Sequence, residues 1–327
     1  MSLLLIIFIG IALVFDFLNG FHDSANVVAT AIASRAIPPR WALAMAAVTN
    51  FLGPFLFGVA VATTIGNEVL NEEAVTVPVA MAALVSAIVW NVLTWLLGIP
   101  SSSSHALMGG FVGAALAGYG VHAIQIEGLT KVIIGLLISP VIGLFFGWII
   151  MRLVLFFGHW FTPGVNNVFR KAQWMTSGIL GLSHGTNDAQ KTMGIISLGL
   201  VAFGVIPEFY VPTWVIAASA FAIALGTAFG GWRLIRTMGA GFYRVRAAHA
   251  FSSQSASSIV ILGSALVGAP VSTTQVIGST IVGAGSAHRF SMIRWGLVGQ
   301  IGIAWVITIP ATIIVGALVF WILNLII

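Results

Sequence analysis

Two short polar clusters recur within a chain that is otherwise almost wholly apolar. Residues 20–26 read Gly-Phe-His-Asp-Ser-Ala-Asn and residues 185–191 read Gly-Thr-Asn-Asp-Ala-Gln-Lys, so each cluster has an acid three residues after a glycine. The acids are Asp23 and Asp188. A charged side chain at the centre of a bilayer costs about 2.5–3.5 kcal/mol. We therefore predict that both carboxylates have a functional role, as proton acceptors or as ligands of a cation.

A second pair of polar runs supplies hydroxyl groups. Residues 100–105 read Pro-Ser-Ser-Ser-Ser-His, and residues 270–275 read Pro-Val-Ser-Thr-Thr-Gln. Because proline favours the first turn of a helix, we predict that each run opens a helix with free backbone N–H groups. Such N–H groups and hydroxyls form a donor-rich site for an oxyanion. Phosphate suits neighbouring carboxylates because at neutral pH it still carries a proton to donate, whereas sulfate does not.

The predicted site comprises two overlapping sets of residues. The substrate-binding set is Asp23, Asn26, Ser102, Ser103, Ser104, Asp188, Lys191, Ser272, Thr273 and Thr274. The set for a coupling cation, sodium or a proton, is His22, Asp23, Asn26, Asn187 and Asp188. The spacing of these residues defines no metal site, and we expect no cofactor other than the coupling ion.

The order of the clusters indicates an internal duplication. The acids lie 165 residues apart and the prolines 170 residues apart, so two different motifs recur at nearly one offset. Asn19-Gly20 and residues 185–187 are poor helix formers. We expect them to break the segments 2–34 and 173–206 into half-helices. A broken helix exposes an N-terminus, whose dipole favours an anion without any basic side chain.

The elements that carry these clusters are typical of a membrane protein. Hydrophobic residues make up 59% of the 327 and charged residues only 6%, whereas a soluble domain has about 25% charged residues. The absence of cysteine excludes disulfides and thiolate sites. Apolar runs fall five to each half, and a spanning helix needs about 20 such residues. The runs lie at about 2–34, 41–65, 77–97, 98–120 and 132–158, and at about 173–206, 212–232, 247–267, 268–286 and 293–323.

An odd number of crossings in each half would invert the second half relative to the first, and the charges agree. With the loop of Arg35 and Arg40 in the cytoplasm, 11 of the 13 basic residues fall inside, Lys131 falls outside and Lys191 lies in a motif. Basic residues are enriched in the cytoplasmic loops of membrane proteins. Both termini are then extracytoplasmic. Orientation in the bilayer also explains the excess of positive charge, so we expect no nucleic-acid partner.

The predicted fold is an all-α polytopic membrane protein with two inverted five-segment repeats and broken or re-entrant helices. The first repeat covers residues 1–158 and the second covers 173–327, with a cytoplasmic linker at 159–172. Duplicated, inverted polar clusters favour a transporter that works by alternating access, with its site near the middle of the membrane.

Two other classes of function stay open at this stage. A membrane hydrolase would pair Ser104, His105 and Asp23. Neighbouring residues of a helix point about 100° apart, which makes Ser104 and His105 a poor nucleophile–base pair. An anion channel would need a continuous pore but no acid at the anion site. Asp16 is an acid in an apolar segment without a counterpart in the second half, so a packing role and a functional role are both open.

Four motifs in this order resemble those of the inorganic phosphate transporter (PiT) family. Residues 20–26 and 185–191 are similar to its G-x-[NH]-D-x-x-N element and the partner of that element. Residues 100–105 and 270–275 are similar to its P-x-S-[ST]-[ST]-[HQ] elements. The resemblance extends over both halves of the chain, and it is closer to the bacterial phosphate-uptake branch than to the animal branch.

The resemblance implies symport of inorganic phosphate, driven by a proton or sodium gradient, and transport of metal–phosphate complexes in the bacterial branch. It also implies a place in the inner (plasma) membrane and a homodimer. Some relatives carry sulfate, so a symporter for sulfate or another oxyanion is the alternative. Lys191 stands where other branches have asparagine. Its ammonium would replace one coupling ion or pair with the phosphate.

Overall fold

The computed structural model describes residues 3–67, 69–158 and 164–326, which form a bundle of α-helices. Apart from one isolated bridge between Leu70 and Ile124, these residues contain no β-structure. The helices of these ranges are α1 (Leu3–Ala33), α2 (Pro39–Leu56), α3 (Ala60–Asn67), α4 (Val77–Leu97), α5 (Ser103–Tyr119), α6 (Ile126–Gly158), α7 (Val165–Ala202), α8 (Thr213–Phe229), α9 (Trp232–Arg236), α10 (Ala247–Leu266), α11 (Thr273–Arg289) and α12 (Trp295–Asn324).

Four of the described helices, α1, α4, α6 and α12, are long and apolar enough to cross a membrane. Two bent pairs add candidate spans: α2 and α3 meet at 75°, and α8 meets the stretch Trp232–Gly241 at 64°. α5 and α11 have 17 residues each. At 1.5 Å per residue they measure about 25 Å, less than the hydrocarbon thickness of about 30 Å. Broken and short helices are therefore part of the fold, while the full set of ten crossings stays a prediction.

The helix breaks lie elsewhere than the sequence predicts. α1 and α7 continue without interruption through Gly20 and Gly185, so the expectation of half-helices at these positions is wrong. A Cβ on Gly20 would lie 2.1 Å from the carbonyl oxygen of Ile223 on α8. A Cβ on Gly185 would lie 2.3 Å from the carbonyl oxygen of Asn50 on α2. These glycines allow helices to cross closely, and that packing keeps the helices intact.

The two prolines also lie outside the helices that they were expected to open. α4 and α10 give way to Gly98 and Gly268, each with a φ of 70°, a left-handed conformation that favours glycine. Non-helical residues follow, and they include Pro100 and Pro270. α5 and α11 begin three residues after the prolines. The break therefore precedes the hydroxyl-bearing helix in both halves.

Helix contacts follow one pattern in the two halves. α1 packs against α8 as α7 packs against α2, and α5 packs against α12 as α11 packs against α6. In both pairs, a helix of one half packs against a helix of the other half, as the predicted duplication leads one to expect. The limits 1–158, 159–172 and 173–327 stay predictions. α7 begins at Val165, inside the range expected for the linker, and residues 159–163 lie outside the described residues.

Two apolar clusters form most of the core, and the polar motifs lie between them. Along α1, Phe15 belongs to the first cluster and Ala25 to the second. Along α7, Leu180 belongs to the second cluster and Ala189 to the first. The two motif helices thus pass through the core in opposite directions. On each helix, the acid lies near the point where the helix passes from one apolar cluster to the other.

Candidate anion and cation site

Helix capping positions the hydroxyl groups. Ser102 is the N-cap of α5, where its hydroxyl oxygen accepts a hydrogen bond from the backbone N–H of His105 at 3.1 Å. Ser272 caps α11 in the same way, through the N–H of Gln275 at 3.3 Å. Such caps stabilise the first turn of a helix. These two serines therefore orient the hydroxyls that follow them, and their role as phosphate ligands stays a prediction.

Asp23 anchors a first cluster whose hydroxyls come from both halves of the chain. Its carboxylate accepts hydrogen bonds from Thr274 Oγ1 at 3.0 Å and from Ser103 Oγ at 3.3 Å. Asn26, one turn later on α1, donates from Nδ2 to Thr274 Oγ1 at 3.0 Å. His22 Nδ1 lies 2.9 Å from Asp23 Oδ1. All five side chains are buried, so their polar groups depend on one another.

Asp188 anchors a second cluster, which contains an ammonium group. Thr273 Oγ1 donates to Asp188 Oδ2 at 2.8 Å, and Lys191 Nζ pairs with Oδ1. Lys191 also donates to Ser104 Oγ at 2.6 Å and to the carbonyl oxygen of Val271 at 3.1 Å. Three oxygen partners offset part of the cost of burying this cation.

The two clusters correspond in geometry but differ in charge. On α1, the amide of Asn26 donates to a hydroxyl of the second half. On α7, the ammonium of Lys191 donates to a hydroxyl of the first half. Two carboxylates and one ammonium leave a formal charge of −1 when the histidines are neutral. An anion that enters this buried site must therefore bring protons or cations with it.

His184 joins the two clusters, and the sequence reasoning missed it. Its Nε2 lies 3.1 Å from Asp188 Oδ2, one turn away on α7. One ligand atom each from Asp23, His184 and Asp188 lies within 4.8 Å of the others, and all three residues are buried. Asn187, whose Nδ2 donates to Asp188 Oδ1 at 3.2 Å, has an Oδ1 with no hydrogen-bond partner within the described residues. Spacing was the available signal, because residues four apart share a helix face.

The donor atoms of this group suit a cation. Carboxylate and amide oxygens suit hard cations, and an imidazole nitrogen suits a transition metal or a proton. Asp23 and Asp188, two members of the predicted coupling-ion set, thus lie with His184 around one position that suits a cation. This position for a cation lies beside the hydroxyl groups of Thr273, Thr274 and Ser103, which donate hydrogen bonds to the same acids.

Asp16 is a third buried acid on α1. Neither carboxylate oxygen has a hydrogen-bond partner within the described residues. The side chain is 0% exposed and lies beside Thr192 of α7. The ion pairs that involve Asp188 do not extend to Asp16. An acid in this position is expected to be protonated or to hold a cation, since an unpaired buried carboxylate is costly.

The geometry does not support a hydrolase. His105 Nδ1 lies 3.3 Å from the carbonyl oxygen of Trp305 and 3.3 Å from Gln275 Nε2. Ser104 Oγ instead accepts a hydrogen bond from Lys191 and donates to a backbone carbonyl. The serine therefore has no histidine as a base, and the ammonium of its partner Lys191 is paired with the Asp188 carboxylate.

Comparison with known proteins agrees with this geometry. The model of the phosphate transporter family matches residues 19–163 and 158–316. The chain belongs to the phosphate transporter family. It is 44% identical over 325 residues to a probable low-affinity inorganic phosphate transporter of Rhizobium meliloti (strain 1021), covering 99% of this chain and 97% of the relative. A relative of the same description from Bacillus subtilis (strain 168) is 41% identical over 333 residues, with 100% of both chains covered.

Membership of this family confirms the resemblance that the four motifs predict, and it makes the chain an integral membrane transporter, not an enzyme. A solved structure described as the sodium-dependent phosphate transporter has the same fold, with a TM-score of 0.90 over 100% of both chains at 24% identity. The fold class is thus an all-helical membrane bundle of the phosphate transporter type.

Proposed function

We propose that this chain imports inorganic phosphate by symport with sodium or protons, through alternating access. Phosphate would bind where the hydroxyls of α5 and α11 meet the acids of α1 and α7. The relatives that match the chain over almost its whole length are described as inorganic phosphate transporters, which supports phosphate as the substrate. The alternative substrates are a metal–phosphate complex, sulfate and another oxyanion.

The observation that carries this proposal is the charge of the buried site. Four hydroxyls surround two acids and one ammonium, and within the described ranges no arginine forms a hydrogen bond or ion pair with either acid. A site of formal charge −1 repels an anion unless a proton or a cation enters with it. Phosphate can also donate its own proton to a carboxylate, which sulfate cannot do at neutral pH.

Two properties of the site favour sodium or a proton as the coupling ion. Asp23, Asp188 and the free oxygen of Asn187 offer the hard oxygen ligands that sodium requires. The solved structure of the same fold is described as sodium-dependent. His22 and His184 contact the acids, and an imidazole can accept and release a proton, which would serve proton coupling.

The proposal includes a place in the plasma (inner) membrane with both termini outside the cytoplasm, and a homodimer. The distribution of basic residues supports this orientation. Because the chain has no cysteine, single cysteines report the topology cleanly. An impermeant thiol reagent added outside should not label a cysteine placed at the exposed position of Arg244, between the stretch Trp232–Gly241 and α10. Labelling from outside would overturn the orientation.

The transport proposal is tested with purified protein in liposomes. Uptake of labelled phosphate is measured under a sodium gradient, a proton gradient, both or neither. We expect uptake to depend on one of these gradients and to be competed by excess unlabelled phosphate but not by sulfate. Uptake that is equal without any gradient would indicate a channel. Competition by sulfate as strong as that by phosphate would identify the alternative substrate.

The position of phosphate is tested through the four hydroxyls at Ser103, Ser104, Thr273 and Thr274. A hydrogen bond to a charged group contributes about 1.5–3 kcal/mol, so each alanine variant should weaken phosphate binding by roughly 10- to 150-fold. Ser257→Ala is the matched control, because Ser257 is also buried and bonded, to Thr280 Oγ1 at 2.6 Å, but contacts neither acid. The site is wrong if the four variants bind phosphate as tightly as this control.

A further inference from the structure

A polar cavity away from Asp23 and Asp188 lies where the end of α1, the start of α7 and the residues before α10 meet. Its volume is about 510 Å³. The side chains around it are positive or neutral, and no acid of the described part of the chain lines it. We call it the arginine cavity, after its lining residues Arg35, Arg170, Arg244 and Arg246.

The rule that basic residues lie on the cytoplasmic side does not explain why these arginines converge on one cavity. That rule sets the side of the membrane but not the position within it. Here the arginines come from three separate segments of the chain and line one concave space. Arg35 adopts a left-handed backbone, with a φ of 58°, and it is the one described residue other than glycine to do so. Such a conformation is uncommon for a residue with a side chain.

A line of polar side chains connects this cavity to the acid clusters. Asn26 and Thr30 lie four residues apart on one face of α1, and Ser34, the residue after the helix, continues the same spacing. Ser34, in the wall of the cavity, donates to Gln173 Oε1 of α7 at 2.7 Å. One turn closer to Asp23, Thr30 Oγ1 accepts from Gln254 Nε2 of α10 at 2.9 Å.

Two glutamines close this line in the present conformation. Gln173 Nε2 donates to the carbonyl oxygen of Ala247 at 3.3 Å, so this side chain of α7 bridges Ser34 and the start of α10. Gln254 Oε1 accepts from Thr176 Oγ1 at 2.5 Å, so this side chain of α10 bridges α1 and α7 one layer deeper. Each bridge consists of neutral hydrogen bonds, which can exchange for hydrogen bonds to an anion or water. Apolar side chains would offer a passing anion no such replacement.

We propose that the arginine cavity binds a phosphate group, as a second and weaker site at the end of the polar line. In naming transported phosphate as the ligand, this inference rests on the proposed transport function. Arginine suits such a ligand because its planar guanidinium donates two hydrogen bonds to phosphate oxygens at once. The same chemistry would recognise the phosphate of an anionic lipid headgroup. The polar line to Asn26 favours transported phosphate over the lipid.

The test compares two charge-matched double variants in nanodiscs. Arg170→Gln/Arg244→Gln removes two cavity arginines, and Arg40→Gln/Arg289→Gln removes two exposed arginines that do not line the cavity. Binding of labelled inorganic phosphate is measured in phosphatidylcholine nanodiscs. We expect a tight and a weak component in the wild type. Each exposed ion pair contributes at most about 1 kcal/mol, so the loss of two arginines should weaken the weak component by about tenfold. The tight component should stay unchanged.

A parallel measurement distinguishes the two sources of phosphate. In nanodiscs of equal parts phosphatidylcholine and phosphatidylglycerol, a free-phosphate site keeps its weak component in the wild type. A lipid site loses that component and retains phosphatidylglycerol in the wild type but not in the cavity variant. Either result supports a phosphate-group site. The proposal is overturned if the cavity variant matches the Arg40→Gln/Arg289→Gln control in both lipid mixtures. A wild type that shows the weak component but no tight component would count against the transport proposal and not against the cavity.

Discussion

The buried pair of Asp188 and Lys191 allows a quantitative test of how the second cluster is held together. Lys191 Nζ pairs with the Asp188 carboxylate and also donates to Ser104 Oγ and to the carbonyl oxygen of Val271. Lys191→Met keeps a long side chain and removes the ammonium. Asp188→Asn keeps the shape of the acid and removes its charge. The double variant removes both charges at once.

The expected magnitudes follow from the burial of both groups. Asp188 is 0% exposed and Lys191 is 2% exposed. Removing one partner of a buried pair costs about 3–5 kcal/mol, because the other charge is left without compensation. The two single variants would then sum to roughly 6–10 kcal/mol. The double variant leaves no unpaired charge, so we expect its loss of stability to be smaller than that sum by about 2 kcal/mol or more.

Unfolding in mixed micelles, followed by tryptophan fluorescence, measures these free energies. Lys171→Met is the control, because Lys171 lies on the exposed part of the same helix and should change stability little. Additive losses in the double variant would refute the pairing. So would a Lys191→Met protein that is as stable as the control.

Three further outcomes follow from the geometry. Asp16→Asn should leave the unfolding free energy unchanged or raise it, because both oxygens of that acid lack partners; a loss as large as that of Asp188→Asn would contradict this. Gly20→Ala should lower folded yield and stability, because its Cβ would lie 2.1 Å from a backbone oxygen, whereas Gly10→Ala, with nothing within 4 Å, should be neutral. His184→Ala should raise the concentration of coupling cation needed for half-maximal uptake, measured in liposomes, and an unchanged cation requirement would remove His184 from the cation site.

The membrane character, the duplicated motifs and most helix positions could be predicted from the sequence. Charged side chains are expensive in lipid, so the rarity of acids makes Asp23 and Asp188 stand out without any structure. The hydroxyl runs could also be recognised as candidate binding residues, because four consecutive serines are unusual in an apolar chain. The family follows from the order of these motifs, which is a property of the chain alone.

The helix breaks could not be predicted in the same way. Asn19-Gly20 has a low helix propensity, yet α1 continues through it. A glycine can end a helix or admit a neighbouring backbone, and only the position of α8 decides between these uses. The same ambiguity concerned Pro100, which lies before its helix and not within its first turn.

The composition of the site was decided in part by tertiary structure. The sequence by itself determined that two acids, an ammonium and four hydroxyls occur in a repeated order. It did not determine that Asn26 meets Thr274 across 248 positions, or that Lys191 meets Ser104 across 87. His184 entered the site for the same reason. Local spacing sets which side chains share a helix face, but the packing of α1, α5, α7 and α11 sets which faces meet, and that packing depends on contacts far apart along the chain.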